Sequence, residues 1–92
     1  MNTLQHCVYV LLSIKDGKHY VGYTSDLDRR IMEHESGKSK STALRRPFIL
    51  LHAEYYLSKK DAQRRELYLK TTGGRRTLRL MLRDSLSNSR DT

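Results

Sequence analysis

The 92-residue chain has one cysteine, one proline, one phenylalanine and no tryptophan, and it is short of acidic residues. A lone Cys7 excludes an internal disulfide framework and suits a reducing compartment. It reads as a buried strand residue, because no basic partner can be placed beside it to make a nucleophile. The four histidines, His6, His19, His34 and His52, have no paired short spacing, which excludes a structural zinc site. Gly73-Gly74 lacks the following Lys-Ser/Thr of a Walker phosphate loop and reads as a joint between two helices. The longest apolar run near the start, Cys7 to Leu12, is far short of the roughly 20 residues that span a bilayer. No charged leader with a small-residue cleavage site precedes it, so the expected setting is intracellular, in the cytoplasm, with no membrane partner. Internal repeats and interior linkers are also missing. The length leaves no room for a second lobe, so one domain is expected over residues 1–86, with a polar, frayed tail over 87–92.

What the chain does have is positive charge: 18 Lys and Arg against 10 Asp and Glu, a net of +8. An excess of this kind concentrates polyanions through long-range fields and counterion release, although it serves solubility equally well.

Residues 7–14 (CVYVLLSI) form a dense β-branched and aromatic run followed by Asp16-Gly17, a hairpin signal in which both residues accept positive φ. Residues 18–24 (KHYVGYT) then return as a second strand. Gly22 within it marks a bulge or a place where something approaches the backbone. Ser25-Asp26 offers an N-cap, Leu27, Ile31 and His34 recur at helical spacing, and Gly37 ends the helix. A basic loop over 38–46 leads through Pro47 into a third strand, 48–56 (FILLHAEYY). Ser58 and Asp61 resemble a capping box opening a helix over about 59–71, and a last short helix is expected over 77–86. The fold class is α+β: a small three-stranded antiparallel sheet flanked by helices, in the order β-β-α-β-α-α.

Some residues exceed what this frame needs. Tyr9, Tyr20 and Tyr23 crowd the opening hairpin, where each alone is an ordinary strand former. Arg30 and His34 stand at i and i+4, on a helix face flanked by Leu27 and Ile31, so both point toward the sheet edge. A surface arginine and a histidine favoured by the helix C-terminus are the plain accounts of these two. Glu66 shares a stripe with Ala62 and Leu69, where a carboxylate needs a cation, a hydrogen-bond network or a metal; pairing with Arg65 or Lys70 is the plain account.

Together, Cys7-Val8-Tyr9, Tyr20-Val21-Gly22, Arg30, His34 and Glu66 resemble the GIY-YIG endonuclease superfamily. The segment 20–34 (YVGYTSDLDRRIMEH) is the most specific part, and Arg64-Arg65-Glu66 with Leu69-Lys70 looks like the family's glutamate helix. The match runs from about Val8 to Leu82, as in a small stand-alone member. Cys7 stands where the name motif has glycine. Neither Asn2 nor Asn88 falls where some members carry a late site asparagine.

The resemblance implies a metal-dependent phosphodiesterase. Glu66 would hold a single divalent ion, Mg²⁺ or Mn²⁺; Tyr9 or Tyr20 would take the proton from the attacking water; Arg30 would clamp the scissile phosphate. His34 would assist the tyrosine, and Gly22 would keep the site open to the substrate backbone. The chemistry agrees. Mg²⁺ takes few protein ligands and completes its shell with water and phosphate oxygens. Arginine offers phosphate a bidentate fork, and a phenol becomes a base at neutral pH only beside positive charge.

Two basic tracts would hold the substrate: Lys38, Lys40, Arg45 and Arg46 in the loop, and Arg75, Arg79 and Arg83 as a stripe on the last helix, with Leu78 and Leu82 packing opposite. Lys70 adds to them. Such contacts position a phosphate backbone without reading bases. The expected partner is nucleic acid, DNA ahead of RNA and structured or branched, with an unidentified helper protein in place of a recognition domain. A non-catalytic nucleic-acid-binding module on the same fold is the alternative, and a protein-interaction subunit with an acidic partner is the third reading.

Overall fold

A computed structural model of the chain describes residues 3–90 and, within them, side chains through Ser87. Three strands, β1 (His6–Ser13), β2 (His19–Thr24) and β3 (Phe48–Tyr56), pair antiparallel in the order β2-β1-β3. Four helices follow them in the chain: α1 (Leu27–Ser36) between β2 and β3, then α2 (Lys59–Leu69), α3 (Thr72–Met81) and α4 (Arg83–Arg90). This is the expected α+β class with β1 at the centre.

Alternation along β1 divides the molecule into two layers of packing. Val8 and Val10 face Ala62 and Leu69 of α2, Leu78 of α3 and Leu82, all buried. Cys7, Tyr9 and Leu11 face the other way, against Leu27 and Ile31 of α1 and against Tyr20, Phe48 and Ala53. Each fully buried Val or Leu contributes roughly 1.5–3 kcal/mol. The sheet is therefore clamped from both sides, and both packing faces are set by the same strand.

Several local details differ from the sequence reading. At the hairpin only Gly17 takes positive φ (71°), and no non-glycine residue does. The connection is a wider loop closed by Ser13 N donating to Lys18 O at 3.0 Å and Gly17 N to Ser13 O at 2.8 Å. Asp26 caps α1 through Arg29 N at 3.2 Å, and Gly37 ends it in the left-handed region at φ 81°. Ser58 starts α2 but its side chain caps nothing; Asp61 instead accepts from Arg64 at 2.9 Å. Gly73-Gly74 is not the joint between two helices but lies in the first turn of α3. Thr71 accepts from Gly74 N at 3.0 Å and starts α3 there. Gly74 is required because a Cβ would run into the Tyr68 carbonyl and lie 2.6 Å from Leu69 Cα. The last expected helix is divided at Leu82, and the segment read as tail stays helical in its backbone to Arg90. Residues 91 and 92, and Asn2, lie outside the described residues. No helix among the described residues is long and apolar enough to cross a membrane.

Candidate active site

The β1–β2 register sets Tyr9 opposite Gly22 and Leu11 opposite Tyr20, so both tyrosines share the face covered by α1. The Tyr9 ring lies directly over Gly22. A Cβ there would fall on the ring's Cζ and hydroxyl and stand 2.8 Å from Cε1. What approaches the backbone at Gly22 is therefore the protein's own phenol, and the expectation that this glycine leaves room for substrate backbone is corrected accordingly.

The helical i, i+4 spacing of α1 then brings Arg30 and His34 to the same place. Tyr9 is 1% exposed, and its hydroxyl lies 2.8 Å from His34 Nε2. The His34 ring centroid is 5.6 Å from that of Tyr9 and 5.2 Å from that of Tyr20, while the two tyrosine rings are 6.3 Å apart. Tyr20, unlike Tyr9, is only half-buried.

The other nitrogen of His34, Nδ1, is 2.7 Å from the hydroxyl of the fully buried Thr42. Burial pushes the His34 pKa down and Arg30 adds to this, against a weaker opposing pull from Glu33; the imidazole is therefore neutral at neutral pH. A neutral imidazole has one donor and one acceptor, so the Tyr9–His34–Thr42 hydrogen bonds run in one direction along the chain. Desolvation raises the Tyr9 phenol to about 12, with Arg30 opposing and the Glu66 carboxylate adding a smaller rise. Arg30 donates to Glu33 Oε1 at 2.9 Å and to Ser39 at 3.3 Å. The Glu33 bond holds its charge most firmly, against partial burial, with smaller help from Tyr9 and Tyr20.

Ser39 and Thr42, buried in the basic loop, thus hold Arg30 and His34, and neither was singled out from sequence. The only available signal was that this polar loop leaves directly from the helix carrying both residues.

Glu66 lies on α2, whose Ala62 and Leu69 pack on the other face of the sheet, but the Glu66 carboxylate itself is close enough for its charge to act on Tyr9. Its side chain is 20% exposed and accepts from Lys70 Nζ at 2.9 Å. Of the two pairings expected from spacing, Lys70 is the one formed; Arg65 turns instead to Glu54 at 3.0 Å. An i, i+4 pair of this exposure is worth about 0.3–0.5 kcal/mol, so it yields easily to a stronger cation. No group of three or more His, Cys, Asp or Glu among the described residues forms a protein cage for a metal. One accessible hard oxygen donor fits an ion that keeps most of its shell for water and phosphate.

The basic tracts separate into free and engaged cations. Lys38 and Lys40 are exposed on the loop. Arg45, by contrast, donates to Asp16 at 2.8 Å and to the carbonyls of Lys18 and His19, strapping the loop to the hairpin. Arg46 donates to Ala43 O at 2.8 Å and Glu35 O at 3.2 Å. Arg75 and Arg79 are exposed on α3 and have no ion-pair partner among the described residues. Leu78 and Leu82 are buried, as the sequence pattern requires. Arg83 leaves the expected stripe because the helix breaks at Leu82, and it donates to Leu80 O.

A sequence model of the GIY-YIG catalytic domain matches residues 5–79, which include Tyr9, Tyr20, Gly22, Arg30, His34 and Glu66. The chain belongs to the GIY-YIG family. Small relatives align with this GIY-YIG chain over most of their length. The UPF0213 protein SH2523 of Staphylococcus haemolyticus is 38% identical over 78 residues, 84% of this chain and 94% of that one. A UPF0213 protein of Halobacterium salinarum is 46% identical over 66 residues, 71% of this chain and 84% of its own. The solution NMR structure of the UPF0213 protein BH0048 from Bacillus halodurans superposes with a TM-score of 0.52 at 44% identity, covering 83% of this chain and 81% of that one. The GIY-YIG family is one of nucleases, and the match covers both strands and both helices that carry the cluster.

Proposed function

We propose that this GIY-YIG chain, a single domain over residues 1–86, is a metal-dependent endonuclease that hydrolyses phosphodiester bonds in DNA, structured or branched, with RNA as the alternative substrate. The observation that carries this reading is the convergence of Tyr9, Tyr20, Arg30 and His34 on one face of the sheet. Hydrolysis needs a proton acceptor for water, a cation on the phosphate and a stabilised leaving oxygen.

Tyr20 is the phenol a water can reach, because Tyr9 is sealed beneath it. In this reading Tyr20 takes the water's proton, and the buried Tyr9–His34–Thr42 chain holds or passes a proton behind it. Arg30, oriented by Glu33 and Ser39, clamps the phosphate and lowers the cost of a phenolate nearby. Glu66 would hold the divalent ion, Mg²⁺ or Mn²⁺, which when bound supplies charge neutralisation at the phosphate and leaving oxygens. Lys38, Lys40, Lys70, Arg75 and Arg79 grip the backbone, while Arg45 and Arg46 keep the loop in place.

The Glu66–Lys70 pair favours one other reading, a non-catalytic nucleic-acid-binding module in which that carboxylate only stabilises α2. Cleavage of end-labelled single-stranded, duplex, flap and branched DNA, with and without Mg²⁺, separates the two. The nuclease reading expects metal-dependent cutting that vanishes in Glu66→Ala, with folding intact and substrate binding retained. Salt-sensitive binding without cutting under any metal would favour the module.

A further inference from the structure

On the face of the sheet away from Tyr20 lies a cleft of about 620 Å³, between the hairpin end of the sheet and helices α3 and α4. Its wall carries the cations Lys18, Arg45, Arg75 and Arg79 beside the His19 imidazole, and Leu12 and Leu86 form an apolar floor. The volume falls in the usual range for a small-ligand site, about 300–1,000 Å³. Among the described residues no carboxylate lines it: the nearby Asp16 is taken up by Arg45 at 2.8 Å, and the same arginine binds the Lys18 and His19 carbonyls, so that the hairpin presents both side chains to the cleft. Lys18, Arg75 and Arg79 have no side-chain partner among the described residues. Burial pushes the His19 pKa down, and Arg79 and Arg75, which line the same cleft, push it further. Converging like charges with no acid among them are costly unless an anion joins them.

The cleft's position relative to the reacting face limits what that anion can be. His19 and Tyr20 are consecutive on β2, so their side chains leave on opposite faces, and β2 is an edge strand. A backbone that meets Tyr20 and Arg30 on one face reaches the cleft only by turning around that edge. Packed layers are separated by roughly 10 Å. Duplex DNA, with a persistence length of about 150 base pairs, does not turn over such a distance without kinking, whereas a single strand does. The apolar floor beneath the cations suits a sugar and base lying under their phosphate.

We propose that this cleft binds a nucleotide of a single-stranded segment flanking the scissile phosphate, its phosphate between Arg75, Arg79 and Lys18 and its base on Leu12 and Leu86. The inference rests on the nuclease reading for the scissile phosphate and gives that substrate a single-stranded stretch next to the cut.

The test is fluorescence anisotropy of labelled single-stranded and duplex DNA of one sequence, binding to the full chain in chelator so that nothing is cut. Arg75→Ala/Arg79→Ala is the variant, and Lys18→Ala is a second that leaves α3 intact. We expect the double variant to lose about ten-fold or more in single-strand affinity. Its salt slope should fall by about 0.7, since each phosphate contact on a single strand contributes about 0.7 and the cleft holds one phosphate. Duplex binding should change much less, and inorganic phosphate alone should shift the His19 ring resonances less than the oligonucleotide does.

Unchanged single-strand binding in both variants overturns the proposal. So does duplex binding that depends on Arg75 and Arg79 just as strongly, or a His19 response that free phosphate reproduces in full. The outcome is separable from that of the nuclease reading. Cutting lost in Glu66→Ala with single-strand binding indifferent to Arg75 and Arg79 removes the cleft alone; binding that needs them in a chain that cuts nothing removes the nuclease alone.

Discussion

Gly22→Ala tests the arrangement of the cluster most directly. The added methyl would coincide with the Tyr9 Cζ and hydroxyl and lie 2.8 Å from Cε1. The ring has little freedom to move, being 1% exposed and tied to His34 at 2.8 Å. Overpacking a filled site costs about 1–3 kcal/mol, and breaking a buried hydrogen bond with its partner left in place costs about 1–3 kcal/mol more. A loss of about 2–6 kcal/mol is therefore expected, and at about 4–8 °C per kcal/mol for a domain of this size the melting temperature falls by roughly 10–50 °C. Thermal denaturation followed by circular dichroism measures it, with Tyr9→Leu as the second arm of a double-mutant cycle. In the Tyr9→Leu background the same methyl meets no ring and should cost less than about 1 kcal/mol. Equal costs in the two backgrounds would refute the claim that Gly22 exists to seat Tyr9.

Thr42→Val keeps the shape of a fully buried residue but leaves His34 Nδ1 without its partner. It should cost about 1–3 kcal/mol and shift the His34 tautomer balance seen in ¹⁵N ring spectra. Glu54 is pushed up by burial, but Arg65, Tyr56 and His52 outweigh this and hold it at about 2. Because its folded pKa lies below the unfolded carboxylate value, its contribution is complete above that value and is lost as pH falls from there toward 2. Denaturation of Glu54→Gln across this range should therefore show a shallower acid limb than the parent, starting from lower stability at pH 7.

The parts of the structure that rest on local rules were legible. The third strand runs over the expected residues, 48–56, and Gly37 ends α1 as a left-handed cap. The helical spacing of Arg30 and His34 and the alternation in β2 brought most of the cluster together on paper. What stayed hidden depends on contacts between distant segments. Gly73-Gly74 reads as a joint between two helices until Thr71 caps the turn and the Tyr68 carbonyl occupies the space of a side chain. Arg45 and Arg46 look like free cations until the hairpin and the end of α1 supply their acceptors. Ser39 and Thr42 are ordinary loop hydroxyls by composition, and only the return of the loop over α1 buries them.

The central strand carries the consequence that reaches furthest. Val8 and Val10 on one side hold the helical layer, while Tyr9 between them carries the hydrogen bond to His34 on the other. Inserting or deleting one residue there would exchange the two sides completely, sending the phenol into the oil and the valines toward the histidine. Chemistry and cohesion are thus written on alternate letters of a single word, and a chain this small has no second copy of it. A substitution on this strand that alters the candidate site is then also a change to the core.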